Sequence, residues 1–272
     1  MPPSIVWFLG FLSDLVLAFV LITTILFFLR RIKNLRQWQD IYLTLAYILL
    51  AIGMIALFAN LFAIPLMGDN PNTYELLKQL MRLYLVLNLT YLLPLAAFVK
   101  MTFRSKSRLA TVLMYFILFW GGFASILIVL LGLQPVWDPN TWIILYVYDP
   151  NTMIFLTLQT VPTLLTIFWF SYEAVNLYLK EKRKDTPNPL QLRRFMFLAL
   201  SGLSLIVAMV FSAVGFVGYT SPQDIPLFQA ILLYMQPAIL TDFFVLFSAI
   251  GWIMPNFAKK GMKTKKIEEG GT

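Results

Sequence analysis

The sequence predicts an all-α membrane protein: a seven-transmembrane-helix bundle with its N-terminus outside and its C-terminus cytoplasmic. Three observations carry this. Only 12% of the 272 residues are charged and 60% are hydrophobic, whereas ordinary soluble domains are about 25% charged. Seven apolar runs reach the ~20 residues that a helix needs to cross a bilayer. Of the 21 lysines and arginines, 19 fall on one side of those runs, and basic residues collect on the cytoplasmic side of a membrane.

The first run, residues 5–29, has no basic leader and no small-residue cleavage site around it. It is expected to be a retained span rather than a signal peptide. The second, 41–67, carries Ala46, Gly53, Ala56, Asn60 and Ala63 at helical spacing, a stripe that lets a neighbouring helix approach closely. The third, 77–103, contains Pro94. Proline removes a helical hydrogen bond and bends the axis, so a kink is expected there. The fourth spans 109–133. The fifth, 153–179, contains Pro162. The sixth, 195–219, repeats the small stripe with Ser201, Ser204, Ala208, Ser212 and Gly215. The seventh, 225–257, contains Pro237. Residues 1–257 are thus read as one transmembrane domain, and 258–272 as a basic cytoplasmic tail too polar to fold by itself.

The connections fix the orientation. Arg30, Arg31, Lys33 and Arg36 follow the first run; Lys100, Arg104, Lys106 and Arg108 follow the third. Six more lie between Lys180 and Arg194, and five between Lys259 and Lys266. The opposite connections carry Asp69, Glu75, Asp138, Asp149 and Asp224. The net charge of +8 is therefore topological, and no nucleic-acid partner is expected. The basic loops offer a surface for anionic lipid or for a cytoplasmic or membrane protein partner. The longest outer connection, 134–152, repeats Asp-Pro-Asn-Thr, and Asn70-Pro-Asn-Thr precedes the third run. These pairs start turns and supply helix caps. Between the repeats, TWIILYVY suits either an interfacial aromatic belt or a short hairpin lying over the bundle mouth.

Polar side chains inside the apolar runs are the candidate site, because such groups are costly in lipid and rare there. Counted from the outer ends, Asp14, Asn60, Asn88, Tyr91, Gln159, Thr160, Tyr234 and Gln236 form an outer layer, with Gln229 on the same side. Asp242 lies deeper. The inner halves of the first, fourth and seventh runs are almost entirely Leu, Ile, Phe and Val. An Asp14–Arg82 ion pair is expected, in competition with Arg82 reaching outward beside Glu75 and Lys78. Asp242 is expected to be neutral or held by hydroxyls and amides. Lys100 and Glu173 read as anchors at the inner boundary. With no histidine and no cysteine, haem and zinc ligation by those residues is excluded, and no cofactor is expected.

The length, span count and orientation resemble those of microbial rhodopsins, with Arg82, Thr90 and Pro94 similar to that family's third-helix pattern. That family's retinal lysine would fall at Leu246, four residues after Asp242. The third-helix carboxylate and the sixth-helix Trp and Pro are missing as well, so the resemblance implies a helix count and not a retinal pump. The chain also resembles the seven-helix sensor modules of prokaryotic signalling proteins in architecture and in its GWIMPNF ending, Gly251 to Phe257. This likeness implies a receptor-like protein, sensing a small or lipidic ligand in an outer pocket and signalling through a separate partner. The alternatives are a small-solute or ion transporter using Asp14 and Asp242, or a non-catalytic subunit of a larger complex. Catalysis is not expected. The two three-helix repeats of seven-helix sugar carriers have no parallel here, nor do the signatures of G-protein-coupled receptors.

Overall fold

The computed structural model describes residues 5–35, 38–128, 130, 132–138, 143–148, 150–216, 241 and 243–252. They form a mostly helical protein. In order, α1 (Ile5–Leu35), α2 (Trp38–Met67), α3 (Pro71–Thr90), α4 (Leu92–Phe103) and α5 (Arg108–Ile128) are followed by β1 (Leu133–Asp138) and β2 (Ile143–Tyr148). Then come α6 (Pro150–Lys182) and α7 (Pro189–Phe216), and a last apolar helix, α8 (Phe243–Trp252). Among the described residues, 4 helical stretches are long and apolar enough to cross a membrane: 38–60, 71–103, 108–128 and 189–208. The helix ends extend past the apolar runs because polar terminal turns keep helical hydrogen bonding while leaving the apolar phase.

Helix starts follow the Asn-Pro pairs. Asn70 accepts the Thr73 N–H at 3.0 Å, and Pro71 occupies the first helical position, where its missing donor is not needed. Asn188 and Pro189 repeat the device, with the Leu190 and Gln191 N–H groups donating to the Asn188 side-chain oxygen. At the other end of α2, Gly68 adopts φ 80° and its N–H meets the Ile64 carbonyl at 2.8 Å. A residue without Cβ closes a helix this way at little cost.

The third run is divided into two helices at the turn before Pro94, the site where a kink is expected. α3 and α4 meet at Tyr91, which keeps helical dihedrals (φ −63°, ψ −23°). Pro94, buried in α4, has no N–H to donate to the Thr90 carbonyl. α6 by contrast runs through Pro162 as a single helix. The fourth run is corrected: it stops being helical at Ile128, and Leu133 begins a strand. Pro135 supplies the reason, since it cannot continue a helix and pushes the residue before it into extended backbone.

β1 and β2 pair antiparallel, from Leu133 opposite Tyr148 to Asp138 opposite Ile143. Of the two readings of TWIILYVY, the hairpin is the one observed. Alternation of side chains along a strand turns Leu133, Pro135 and Ile144 inward as buried residues, while Gln134 and Val136 are exposed. The inward face packs on α2 and α3: Ile144 clusters with Ala63, Ile64 and Leu77, and Leu133 with Ile128.

The small stripe on α2 is a packing face, with Ala46, Gly53, Ala56, Asn60 and Ala63 all buried. A Cβ at Gly53 would lie 3.3 Å from Leu87 Cβ of α3. On α7, Ser201, Ser204 and Ala208 are buried, and the tightest approach is at Gly202, where a Cβ would meet Ser171 Cα of α6 at 2.8 Å. The main core joins α1, α2, α4, α5, α6, α7 and α8 through Phe28, Tyr47, Phe98, Ile117, Phe170, Leu198 and Phe244. Helices alternate in direction, so the described basic turns gather at one end of the molecule and the hairpin at the other.

Candidate functional site

Two polar constellations stand out, one at each end. At the hairpin end, Asn60 on α2 is 4% exposed. Its side-chain oxygen accepts a 2.7 Å hydrogen bond from the Tyr146 hydroxyl of β2, which also reaches the Leu77 carbonyl of α3 at 3.3 Å. One phenol thus ties the hairpin to both helices beneath it. The Asn60 amide nitrogen is buried with no hydrogen-bond partner among the described residues, as is the Thr73 hydroxyl. Beside this tie lies an open groove of roughly 480 Å³, lined entirely by apolar side chains of α2 and α3, including Phe58, Ala59, Phe62, Leu66, Leu76 and Leu80. Phe11 of α1 packs on Phe58 and Phe62 with ring centroids 5.5 and 5.6 Å away.

At the basic end, Asp40 in the first turn of α2 is fully buried. Its carboxylate accepts a 2.5 Å hydrogen bond from the Trp252 indole N–H of α8. The Arg194 guanidinium of α7 sits over the same indole, 4.7 Å from the ring centroid. Phe98 of α4 meets that indole edge-on at 5.0 Å. Four helices therefore converge on Trp252. The close fit depends on Gly251, where a Cβ would stand 3.0 Å from the Arg194 carbonyl and 3.1 Å from the Leu198 nitrogen. One turn inward, the Tyr47 and Ser248 hydroxyls share a 2.5 Å hydrogen bond, and Ser248 donates onward to the Phe244 carbonyl. A second buried carboxylate, Glu173 of α6, accepts from Arg104 Nε of the α4–α5 turn at 2.7 Å. The Glu173 side chain is 6% exposed and that of Arg104 40%. The Glu173 hydrogen bond and ion pair raise the Arg104 pKa above its ordinary value. Glu173 is therefore a buried ion-pair partner and not a boundary anchor, because Arg104, just past the end of α4, brings a cation to it.

The sequence-derived site residues scatter. Asn60 and Tyr91 are buried, Tyr91 in the main core at the α3–α4 junction. Asn88 is half-buried, and its backbone nitrogen lies 3.8 Å from a Cβ built on Gly53. Thr160 is exposed: it stands two residues, ~200° of helical turn, from the buried Pro162. Arg82 is half-buried and within electrostatic reach of Glu75. The side chains of Asp14 and Gln159 lie outside the described residues, so the Asp14–Arg82 pair does too. Gln229, Tyr234, Gln236, Pro237 and Asp242 lie outside them as well. Arg194 was legible only as one of the basic loop residues and Tyr146 only as part of TWIILYVY, while Asp40 carried no sequence signal. Asp40 stands at the polar edge of an apolar run, and Trp252, which donates to it, is 212 residues away in the chain. Among the described residues, no group of three His, Cys, Asp or Glu side chains is placed to hold a metal. No protein-family model matches the chain, and no curated protein sequence matches it.

Proposed function

We propose that the chain is a receptor-like, seven-span membrane protein of the cell membrane, with its N-terminus outside. It takes a lipidic ligand at the hairpin end and passes the change to the basic, cytoplasmic end, where a separate partner responds. The observation that carries this reading is the apolar groove beside the Asn60–Tyr146 tie. The groove, lined by apolar side chains alone, accepts hydrocarbon. α2 joins the two ends. Along its 30-residue length, the groove-lining Phe62 stands ~33 Å, at 1.5 Å per residue, from Asp40 under Trp252. A shift of α2 at the groove is a shift of Asp40 against the last helix.

The test uses the protein in nanodiscs, titrated with single-chain amphiphiles and, separately, with small polar solutes. A ligand that binds only the folded protein raises its unfolding temperature. Amphiphiles should stabilise the wild type, and Ala59→Trp, which fills the groove, should remove the effect while leaving the apo protein folded. Stabilisation that survives Ala59→Trp rejects the groove as the site. Solute or ion flux in sealed vesicles replaces the receptor reading with a transporter.

A further inference from the structure

The turn between α6 and α7 is folded around its own carboxylate. Glu181 is 3% exposed. One of its oxygens takes the Lys184 ammonium at 2.6 Å and the other takes the Asn188 N–H at 3.0 Å. Asn188 then caps α7 with its side chain. The Lys184 charge is thereby neutralised. Lys180, Lys182, Arg183 and Arg193 remain exposed, with no ion-pair partner among the described residues. Asp185 is the exposed carboxylate of the same turn. Lys180 and Arg183 lie three residues apart, and the Arg183 N–H still bonds the Leu179 carbonyl at 3.1 Å, so the two cations share a helical face. The packing of Gly202 against Ser171 sets the depth of the neighbouring helix. Counting nine residues from each contact, in opposite directions along antiparallel helices, brings Arg193 level with Lys180.

We propose that this preformed turn is a binding site for the headgroup phosphate of anionic membrane lipids, held by Lys180 and Arg183 with Lys182 and Arg193 beside them. The proposal rests on the reading that these helices cross a bilayer. The partner is lipid because the cations form a band at one depth, where an apolar stretch beginning at Pro189 meets water. Cations at that depth attract anionic headgroups. Since the Glu181 contacts order the turn before any lipid arrives, little ordering cost remains at binding.

The experiment reconstitutes the protein into vesicles of phosphatidylcholine with and without phosphatidylglycerol, then measures the lipid retained after mild detergent extraction. The wild type should keep phosphatidylglycerol in preference. Lys180→Gln with Arg183→Gln should reduce that preference roughly tenfold or more, whereas Lys106→Gln with Arg108→Gln on the neighbouring turn should change it less. Glu181→Ala separates a built site from diffuse attraction. It adds one net positive charge, so diffuse attraction predicts stronger retention, while loss of the folded turn predicts weaker retention. Stronger retention in Glu181→Ala, or equal loss from the two double variants, overturns the proposal. Equal retention of the two lipids by the wild type also overturns it and leaves the membrane reading intact. Failure to insert into either vesicle overturns both.

Discussion

The two ends of the molecule are held shut in different ways. At the basic end, all three buried carboxylates described above have close donors: Asp40 from Trp252 of α8, Glu173 from Arg104 of the α4–α5 turn, and Glu181 from Lys184 and the Asn188 N–H of its own turn. At the hairpin end, one phenol does the tying, an amide nitrogen is left without a partner, and a groove stays open beside it. The contrast concerns carboxylates and amides only, since Thr102 Oγ1 near the basic end also makes no hydrogen bond among the described residues, and Arg194 meets Trp252 over its ring face rather than through Nε. Buried polar groups are costly when left half-satisfied. The basic end therefore has one well-defined arrangement, while the hairpin end retains capacity for a further contact.

The strongest way to break the comparison is at Trp252. Trp252→Ala removes a buried indole together with its contacts to Asp40, Arg194 and Phe98, and should cost ~3–5 kcal/mol, read as a lower unfolding temperature in nanodiscs. Arg104→Ala comes next. It leaves the buried Glu173 carboxylate without its guanidinium and should cost ~1–3 kcal/mol, with faster hydrogen exchange at the ends of α4 and α6. Tyr146→Phe at the hairpin end should cost only ~0.5–1.5 kcal/mol. Asn60→Leu should be smaller still, within ~1 kcal/mol of neutral, because its amide donor is already unused and Tyr146 keeps the Leu77 carbonyl. An Asn60→Leu loss as large as that of Arg104→Ala would erase the contrast between the ends.

Acid offers the mildest probe. The Lys184 contact, followed by the Asn188 N–H, holds the Glu181 pKa below its ordinary value. A carboxylate depressed on folding stabilises fully above its unfolded pKa, near ~4.3. That contribution is lost as pH falls through the lower folded value. Backbone exchange in the turn around Lys184 to Asn188 should therefore quicken below about pH 4, after correction for intrinsic rates. In Glu181→Ala it should be fast at neutral pH and show no such step. The hairpin should show no matching transition.

Much of the framework was legible because it depends on local chemistry. The apolar runs, the Asn-Pro helix starts, the small stripes on α2 and α7 and the Pro94 break each follow from residues within a few turns of one another. The hairpin was half legible: TWIILYVY signals a strand, but its partner starts on the last residue of an apolar run, Leu133, and continues as QPVWD, where Pro135 masks the strand pattern. The polar clusters were not legible. Asp40 and Trp252 find each other only through the packing of α2, α4, α7 and α8, and no local pattern encodes that meeting. Depth counting placed Asn60 and Thr160 in one layer, but depth ignores helical phase, and phase puts Asn60 inside and Thr160 outside.

The Trp252–Asp40 contact joins residues 212 positions apart, and Tyr47–Ser248 joins residues 201 apart. A chain made from its N-terminus therefore presents the first turn of α2 long before its partners exist. During that interval Asp40 lacks the indole that will satisfy it, and Tyr47 lacks Ser248. Domains assemble as their segments become available during synthesis, so the final helix acts as a completion check. A polypeptide interrupted before Trp252 lacks the indole N–H that Asp40 accepts from, and one interrupted before Ser248 also lacks the hydroxyl that Tyr47 meets, so this end closes only when the last described helix is made.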